Sequence, residues 1–256
     1  MIDWKKTPAA IYRAKNDSLK PVFETDPIAL DNLLNIDHQK KILLENTEKF
    51  IKGEPASHAL MWGSKGTGKS SLIKAILNHF FNDGLRLIEF FKDDLGALVD
   101  IGDEIKKLPY KFIVFSDDLS FDLCDSSYNG IKSIIEGSIE LPPKNILIYA
   151  TSNRRHLIPE YFSDNDETIV DNGEIHYSDN VEEKISLADR FGLWIPFYQG
   201  NINDYLRIVD SYFPHISDNK REKLHVEAKK FSSLRGGSKS GRTAKQFYIL
   251  YNDTFQ

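Results

Sequence analysis

The feature that most constrains the fold is the run Gly63-Ser64-Lys65-Gly66-Thr67-Gly68-Lys69-Ser70, which matches the pattern G-x-x-x-x-G-K-[ST]. A short apolar run from His58 to Trp62 precedes it, and a helical pattern starts at Ser71. Glycine tolerates backbone angles that other residues avoid, so the amides of this run can point inward around an anion. The order strand, loop, helix therefore predicts a phosphate-binding loop, here called the P-loop (residues 63–70).

The residue types in the P-loop indicate which phosphate compound would bind. Lys69 would reach the β- and γ-phosphates, and the Ser70 hydroxyl would ligate Mg²⁺. We therefore expect ATP or ADP with Mg²⁺. The predicted nucleotide contacts are Gly63, Ser64, Lys65, Gly66, Thr67, Gly68, Lys69, Ser70 and Ser71. The alternative, a glycine-rich turn that binds nothing, does not account for the flanking strand and helix.

Apolar runs and helical patterns alternate after the P-loop. Strands are predicted at His58–Trp62, Leu85–Phe91, Lys111–Ser116, Asn145–Ala150 and Gly192–Phe197, and helices at Asp93–Lys107 and Ser127–Ser138. This alternation predicts a three-layer α/β domain with a parallel sheet of five strands. Helical patterns at Asn203–Phe213, Asp218–Ser232 and Arg242–Asp253 predict a small α-helical lid after the sheet.

Composition and cysteine content limit the class of protein. The 256 residues are 41% hydrophobic and 28% charged, as in soluble globular proteins. The start of the chain lacks the apolar run of a secretory signal, and no stretch of about twenty apolar residues occurs. We therefore expect a cytoplasmic protein without a membrane partner. Cys124 is the single cysteine, which excludes an intrachain disulfide and a cysteine-based zinc site.

The net charge of −5 is unevenly distributed along the chain. Residues 160–183 contain nine acidic residues and no Lys or Arg, whereas residues 219–245 contain nine Lys or Arg and two Glu. The acidic segment is predicted to be a long solvated loop. A partner would therefore meet two differently charged surfaces.

Two carboxylates follow the buried strand that ends at Ser116. Ligands of parallel sheets gather at the carboxyl ends of the strands, so Asp117 is positioned to hold Mg²⁺ together with Ser70. Asp118 is predicted to orient or deprotonate the attacking water. For this pair alone a simple turn explains the sequence equally well. The P-loop upstream favours the functional interpretation.

Asn153 follows the next buried strand in the same way. Its amide would position the attacking water or the γ-phosphate. Arg154 and Arg155 come next and are interpreted as a solvated turn, with substrate or subunit contacts as the alternatives.

The segment Leu187-Ala188-Asp189-Arg190-Phe191-Gly192 precedes the last predicted strand. With the motifs above, it makes the chain resemble the AAA+ ATPases, particularly the branch of bacterial replication initiators and helicase loaders. The resemblance implies that Arg190 reaches the γ-phosphate held by a neighbouring subunit, and it therefore implies a homo-oligomer. An arginine of this kind is worth about 10³ to 10⁵ in rate. The alternative is an intrachain ion pair with Asp189, Glu182 or Glu183.

The helical tail extends the resemblance. Arg242, at the start of the last predicted helix, matches the arginine with which AAA+ lids approach the nucleotide. Residues 27–37 resemble the segment that wraps the adenine, and Asp37 would cap a helix running to Phe50.

Residues 20–250 are similar to an uncharacterised bacterial family of AAA+ ATP-binding proteins, a domain of unknown function. The resemblance divides the chain into an N-terminal arm and helix (1–50), a nucleotide-binding α/β domain (51–199) and a lid (200–256). Most AAA+ ATPases carry Asp-Glu where this chain has Asp117-Asp118. The shorter second carboxylate suggests a slow nucleotide switch and not a fast motor.

Three classes of function remain open. The first, which we favour, is an oligomeric Mg²⁺-dependent ATPase that remodels an unknown protein or nucleoprotein partner. The second is a nucleic-acid-binding helicase loader or initiator, motivated by the basic run from Lys220 to Lys245, although no helix-turn-helix or zinc module is recognisable. The third is a small-molecule kinase, which Arg190 and the lack of an obvious acceptor site disfavour.

Overall fold

The fold comes from a computed structural model that describes residues 2–120, 128–136, 141–153, 169–171, 174–176 and 189–255. The strands are β1 (Ala9–Arg13), β2 (Ser18–Val22), β3 (Ala59–Gly63), β4 (Leu85–Glu89), β5 (Lys111–Ser116), β6 (Ile146–Ser152), β7 (Ile169–Asp171), β8 (Glu174–His176) and β9 (Leu193–Phe197). The α-helices are α1 (Asp37–Lys52), α2 (Lys69–Phe80), α3 (Leu98–Ile105), α4 (Tyr128–Glu136), α5 (Ile202–Tyr212), α6 (Asp218–Leu234) and α7 (Gly241–Phe255).

The central sheet has seven strands in the order β2-β1-β4-β5-β6-β3-β9, so the prediction of five strands is wrong in number. Every neighbouring pair is parallel except β1 and β2, which form an antiparallel hairpin. The two additional strands lie at one edge and have weak strand signals. Ala9 and Ala10 are poor strand formers, and Pro21 is tolerated because β2 is the edge strand.

Helices cover both faces of the sheet, which makes the predicted three-layer α/β architecture. Along β5, Phe112 and Val114 join a buried cluster that contains side chains of α3 and α4. Ile113 and Phe115, which point to the opposite face, join a second cluster with α1 and α2. This alternation is the reason why the strand sequence is almost continuously apolar.

The helices α5, α6 and α7 enclose a third cluster of their own, which includes Tyr205, Leu224 and Phe247. We call these three helices the lid. Each begins and ends within two residues of its predicted boundaries. At the other end of the chain, Asp37 is the first residue of α1 and the N-cap is Ile36, so the prediction that Asp37 caps this helix is wrong, and no side chain caps it. Asp37 instead forms an ion pair of 2.7 Å with Lys40.

Part of the predicted acidic loop is described. The short strands β7 and β8 lie within it and pair antiparallel, so this part of the segment contains β-structure. Across the described ranges, no helix is long and apolar enough to span a bilayer.

Candidate functional site

The P-loop connects β3 to α2 and depends on glycines at its tight positions. Gly63, Gly66 and Gly68 all have positive φ angles, of 126°, 75° and 101°. A Cβ built at Gly63 would lie 2.1 Å from the Phe197 carbonyl oxygen on the neighbouring strand β9. The amide of Ser64 donates a hydrogen bond of 3.0 Å to that same oxygen. The start of the loop is therefore fixed to the sheet, and the Ser64 amide faces Phe197 and not the predicted phosphates.

The Lys69 side chain is only 7% exposed. Its ammonium donates to the carbonyl oxygens of Gly63 at 2.7 Å and Ser64 at 2.8 Å, and it contacts Asn153 Oδ1 at 3.5 Å. Burial lowers the pKa of Lys69, while the charges of Asp117 and Asp118 act in the opposite direction. The cation thus lies inside the loop, between its carbonyls and the acidic strand ends.

The backbone amides at the amino end of α2 are available to bind an anion. Its N-cap, Gly68, has no side chain to accept from the first-turn amides. The amides of Lys69, Ser70 and Ser71 belong to that turn and have no acceptor within the helix. Together with the glycine conformations and Lys69, they fit a phosphate group. The Thr67 hydroxyl donates to Ser64 O at 2.8 Å and shapes the loop.

Ser70 and Asp117, the two residues predicted to hold Mg²⁺, are in direct contact. The Ser70 hydroxyl donates a hydrogen bond of 2.7 Å to Asp117 Oδ1. Neighbouring ligands of an octahedral Mg²⁺ lie about 3.0 Å apart when the Mg–O bonds are about 2.1 Å. The two oxygens therefore have the spacing and the chemistry of adjacent Mg²⁺ ligands.

Thr151, in β6, is a site residue that was not predicted. Its hydroxyl donates to Asp117 Oδ1 and accepts from the backbone amide of Asp118 at 2.9 Å. The side chain is 1% exposed. Thr151 thus fixes both carboxylate residues from the neighbouring strand. The sequence signal was its position two residues before Asn153, at the end of a buried strand.

Asp118 and Asn153, which follow the neighbouring strands β5 and β6, are in contact. Asp118 has a φ angle of 55°, which is unusual for a residue other than glycine. Asn153 Nδ2 donates a hydrogen bond to Asp118 Oδ1. The amide of Asn153 therefore lies between the Asp118 carboxylate and the Lys69 ammonium.

The lid contacts the P-loop through the start of α7. The amide of Gly241 donates to the Gly66 carbonyl at 3.1 Å. A Cβ built at Gly66 would lie 2.8 Å from Ser240 Oγ and 3.4 Å from Arg242 Cβ. The charge of Arg242 lies close enough to lower the pKa of Lys69, although burial has the larger effect. The Cβ atom of Arg242 thus lies beside the P-loop.

Arg190 lies far from the P-loop of its own chain. It precedes β9, which runs parallel to β3 and reaches the P-loop only at Phe197. Between Arg190 and Phe197, only residues Leu193–Phe197 are extended, and from the first to the last they span roughly 13 Å. The structure therefore does not bring Arg190 together with the other predicted site residues.

The segment predicted to wrap the base lies next to the P-loop. A Cβ built at Gly68 would lie 3.4 Å from Ile36 Cδ1. Ile28 packs with Ile36 in the cluster shared by α1 and α2. Arg154, Arg155 and most of residues 160–183 lie outside the described residues.

Comparison with protein families identifies one match over almost the whole chain. The family described as "Protein of unknown function (DUF815)" matches residues 5–254.

Two curated relatives match a short part of the chain. The Replication factor C large subunit of Staphylothermus marinus is 33% identical over 76 residues, which are 29% of this chain and 17% of that protein. The same subunit of Ignicoccus hospitalis is 32% identical over 77 residues, 29% of this chain and 16% of that protein. The match thus spans about a sixth of the length of these relatives.

Solved structures of RuvB from Thermotoga maritima are similar in fold. Two of its variants superpose with a TM-score of 0.50 at 13% sequence identity, covering 88% of this chain and 72% of theirs. RuvB is described as a Holliday junction branch migration motor.

Proposed function

Because the chain belongs to the DUF815 family and has the AAA+ fold, we propose that it is a Mg²⁺-dependent ATPase that acts as an oligomeric nucleotide switch on a macromolecular partner. The observation that carries the proposal is the convergence of Lys69, Ser70 and Asp117 at one end of the P-loop. We propose a cytoplasmic location, where ATP and Mg²⁺ are present.

Binding of ATP would use groups that are already in position. The first-turn amides of α2 and the Lys69 ammonium would hold the phosphates. Ser70 and Asp117 would hold Mg²⁺, which when bound neutralises charge on the β- and γ-phosphates. Arg242 would approach the γ-phosphate from the lid. Replacement of Lys69 by Ala should abolish the binding of ATPγS in calorimetry, and unchanged binding would contradict the proposed site.

Hydrolysis requires a water molecule aligned with the γ-phosphate. Asp118 would orient or deprotonate this water, and Asn153, which donates to Asp118, would help to place it. The bonds from Thr151 keep the Asp118 backbone and the Asp117 carboxylate in a fixed relationship. A shorter carboxylate than the usual Glu is consistent with slow turnover.

The oligomer is proposed from the position of Arg190. Arg190 precedes the end of β9 that lies away from the P-loop, roughly 13 Å of strand from Phe197, and this position would let it contact a nucleotide in another subunit. The particle mass, measured with and without ATP and Mg²⁺, should rise with nucleotide in the wild type. A persistent monomer with full ATPase activity would contradict action between subunits.

Mixing two inactive variants tests the same point more directly. Asp118→Asn retains Arg190, and Arg190→Ala retains Asp118, so mixed oligomers contain some complete sites. Phosphate release should therefore be restored when the two variants are mixed. No recovery over a range of mixing ratios would place Arg190 outside the reaction.

A nucleic-acid-binding loader or initiator is the second candidate. The supporting observation is the lid surface, where Lys220, Lys223 and Lys229 are exposed. The curated relatives are subunits of a replication factor, which is consistent with this class. Titration of DNA across a salt series should show affinity that falls with salt concentration. Absence of salt-dependent binding would exclude this candidate.

A further inference from the structure

Within the part of the chain that the structure describes, hydrogen bonds attach the lid beside the P-loop at two points. One is the hydrogen bond from the Gly241 amide to the Gly66 carbonyl. The other is made by Asn35, whose Nδ2 donates to the backbone carbonyl of Asp204 at 3.0 Å, in the first turn of α5. We infer that Asn35 is a positioning residue that holds the lid, and with it Arg242, over the P-loop. The inference rests on the proposed nucleotide site.

The Asn35 side chain extends from a firmly held part of the α/β domain. Its φ angle of 64° lies in the left-handed region, which asparagine tolerates better than most residues. The next residue, Ile36, is buried and lies against Gly68 of the P-loop. Gln39, on the first turn of α1, donates to the Pro196 carbonyl at 2.9 Å, just before the connection to the lid. Movement of Asn35 relative to the P-loop is therefore restricted.

Packing inside the lid couples the position of α5 to the position of α7. Tyr205, which follows Asp204, and Phe247 of α7 are both fully buried in the lid cluster. Close-packed side chains of this kind move together. A hydrogen bond to the first turn of α5 therefore restricts the start of α7, where Arg242 lies.

The same side chain is a poor stabiliser of the fold. Its Oδ1 atom is buried and accepts no hydrogen bond from the part of the chain that the structure describes. Removal of the side chain loses one hydrogen bond, but it also removes one buried oxygen without a donor, and these effects oppose each other. Glycine adopts the required φ without strain. We therefore expect Asn35→Gly to melt within about 4 °C of the wild type.

The test compares ATPγS with ADP, because only the former presents a γ-phosphate to Arg242. Calorimetry on the full chain should show that Asn35→Gly weakens ATPγS binding by about tenfold, as for one charge-assisted hydrogen bond. ADP binding should change by less than about twofold, since ADP has no γ-phosphate for Arg242 to contact and its phosphates would be held by the P-loop. Arg242→Ala should have the same pattern of effects as Asn35→Gly: weaker binding of ATPγS and little change in the binding of ADP.

A double-mutant cycle shows whether Asn35 acts through Arg242. If it does, Asn35→Gly should have almost no further effect in the Arg242→Ala background. Additive losses, or an unchanged ratio of ATPγS to ADP affinity in Asn35→Gly, would overturn the inference. Asn35→Asp, which keeps the shape and loses the donor, is the second variant. Its added charge can interact with the Arg242 cation, so Asn35→Asp is compared with Asn35→Gly as a single variant, and both should weaken ATPγS binding more than ADP binding.

The matched control is Asn32→Ala. Asn32 lies three residues earlier, and its Oδ1 accepts from the Ala29 amide at 3.1 Å within the same segment. Asn32→Ala should leave the ratio of ATPγS to ADP affinity unchanged. If this ratio fell as much in Asn32→Ala as in Asn35→Gly, the inference would also be overturned. Failure of the proposed function is distinguishable, because then the wild type would not bind ATPγS any better than Lys69→Ala.

Discussion

The backbone amide of Gly241 donates a 3.1 Å hydrogen bond to the carbonyl oxygen of Gly66, and this bond joins the lid to the P-loop across 175 residues of sequence. The contact is close because Gly66 has no side chain. Ser240 occupies the space that a Cβ at Gly66 would need. The position of the lid is therefore linked to the conformation of the loop expected to hold phosphate.

A methyl group at Gly66 should displace the lid. Gly66→Ala combines a positive φ angle with contacts of 2.8 Å and 2.9 Å to Ser240. We expect ATPγS affinity to fall at least about tenfold and the unfolding free energy to fall by about 1–3 kcal/mol. Calorimetry and urea titration measure the two effects.

Gly53→Ala is the control for the Gly66 variant. Gly53 has a φ angle of 78°, close to the 75° of Gly66, but a Cβ there meets nothing within 4 Å. It should share the backbone strain and leave ATPγS affinity unchanged. Equal affinities in the two variants would show that the contact with Ser240 does not matter for binding.

Loss of the Thr151 hydroxyl should separate binding from hydrolysis. Thr151→Val keeps the shape but removes the bonds to Asp117 and to the Asp118 amide. Because the carboxylates then lose their alignment, phosphate release should fall about 10- to 100-fold. ATPγS affinity should stay within about threefold. Thr151→Ser, which restores the hydroxyl, should recover most of the rate, and failure to recover would contradict the positioning role.

Asp118→Asn should abolish hydrolysis while ATP still binds. The asparagine oxygen can still accept from Asn153, so the local geometry should survive. Loss of a general base costs about 10²- to 10⁴-fold, and phosphate release should fall within that range. A phosphate-release assay with unchanged turnover would remove Asp118 from the mechanism.

Stability should decrease between pH 6.5 and pH 4 because of His58. Burial lowers the pKa of His58 to about 4, from an ordinary value of 6.5. Its Nδ1 accepts a hydrogen bond of 2.9 Å from the Ile148 amide, which requires the neutral ring. Above pH 6.5 the histidine is neutral in both states and its contribution to stability is complete. As the pH falls toward 4, only the unfolded chain binds the proton, so up to about 3 kcal/mol of unfolding free energy is lost.

His58→Asn provides the comparison. The amide oxygen of asparagine can accept from the Ile148 amide and does not titrate. Urea titrations at pH 7.5, 6 and 4.5 should give a shallower decline of stability for this variant. The same decline in both proteins would show that His58 does not control this part of the pH profile.

The sequence was sufficient for features that depend on neighbouring residues. The P-loop is one, because Gly63, Gly66 and Gly68 adopt their angles within a few residues of Lys69. The buried strands around Ile113 and Ile148 are another, since an uninterrupted apolar run indicates burial on both faces. The same local signals failed for β1 and β2, whose alanines and proline are poor strand formers.

What the sequence by itself determined was the nucleotide motif, the order of helices and strands, and the set of polar residues at strand ends. Only the tertiary structure decided that Thr151 bonds to Asp117, that Gly241 contacts Gly66 and that Asn35 holds Asp204. These contacts join residues 34 to 175 positions apart. They depend on which strands lie side by side and on where the lid packs, which is set by the burial of whole faces and not by local pattern.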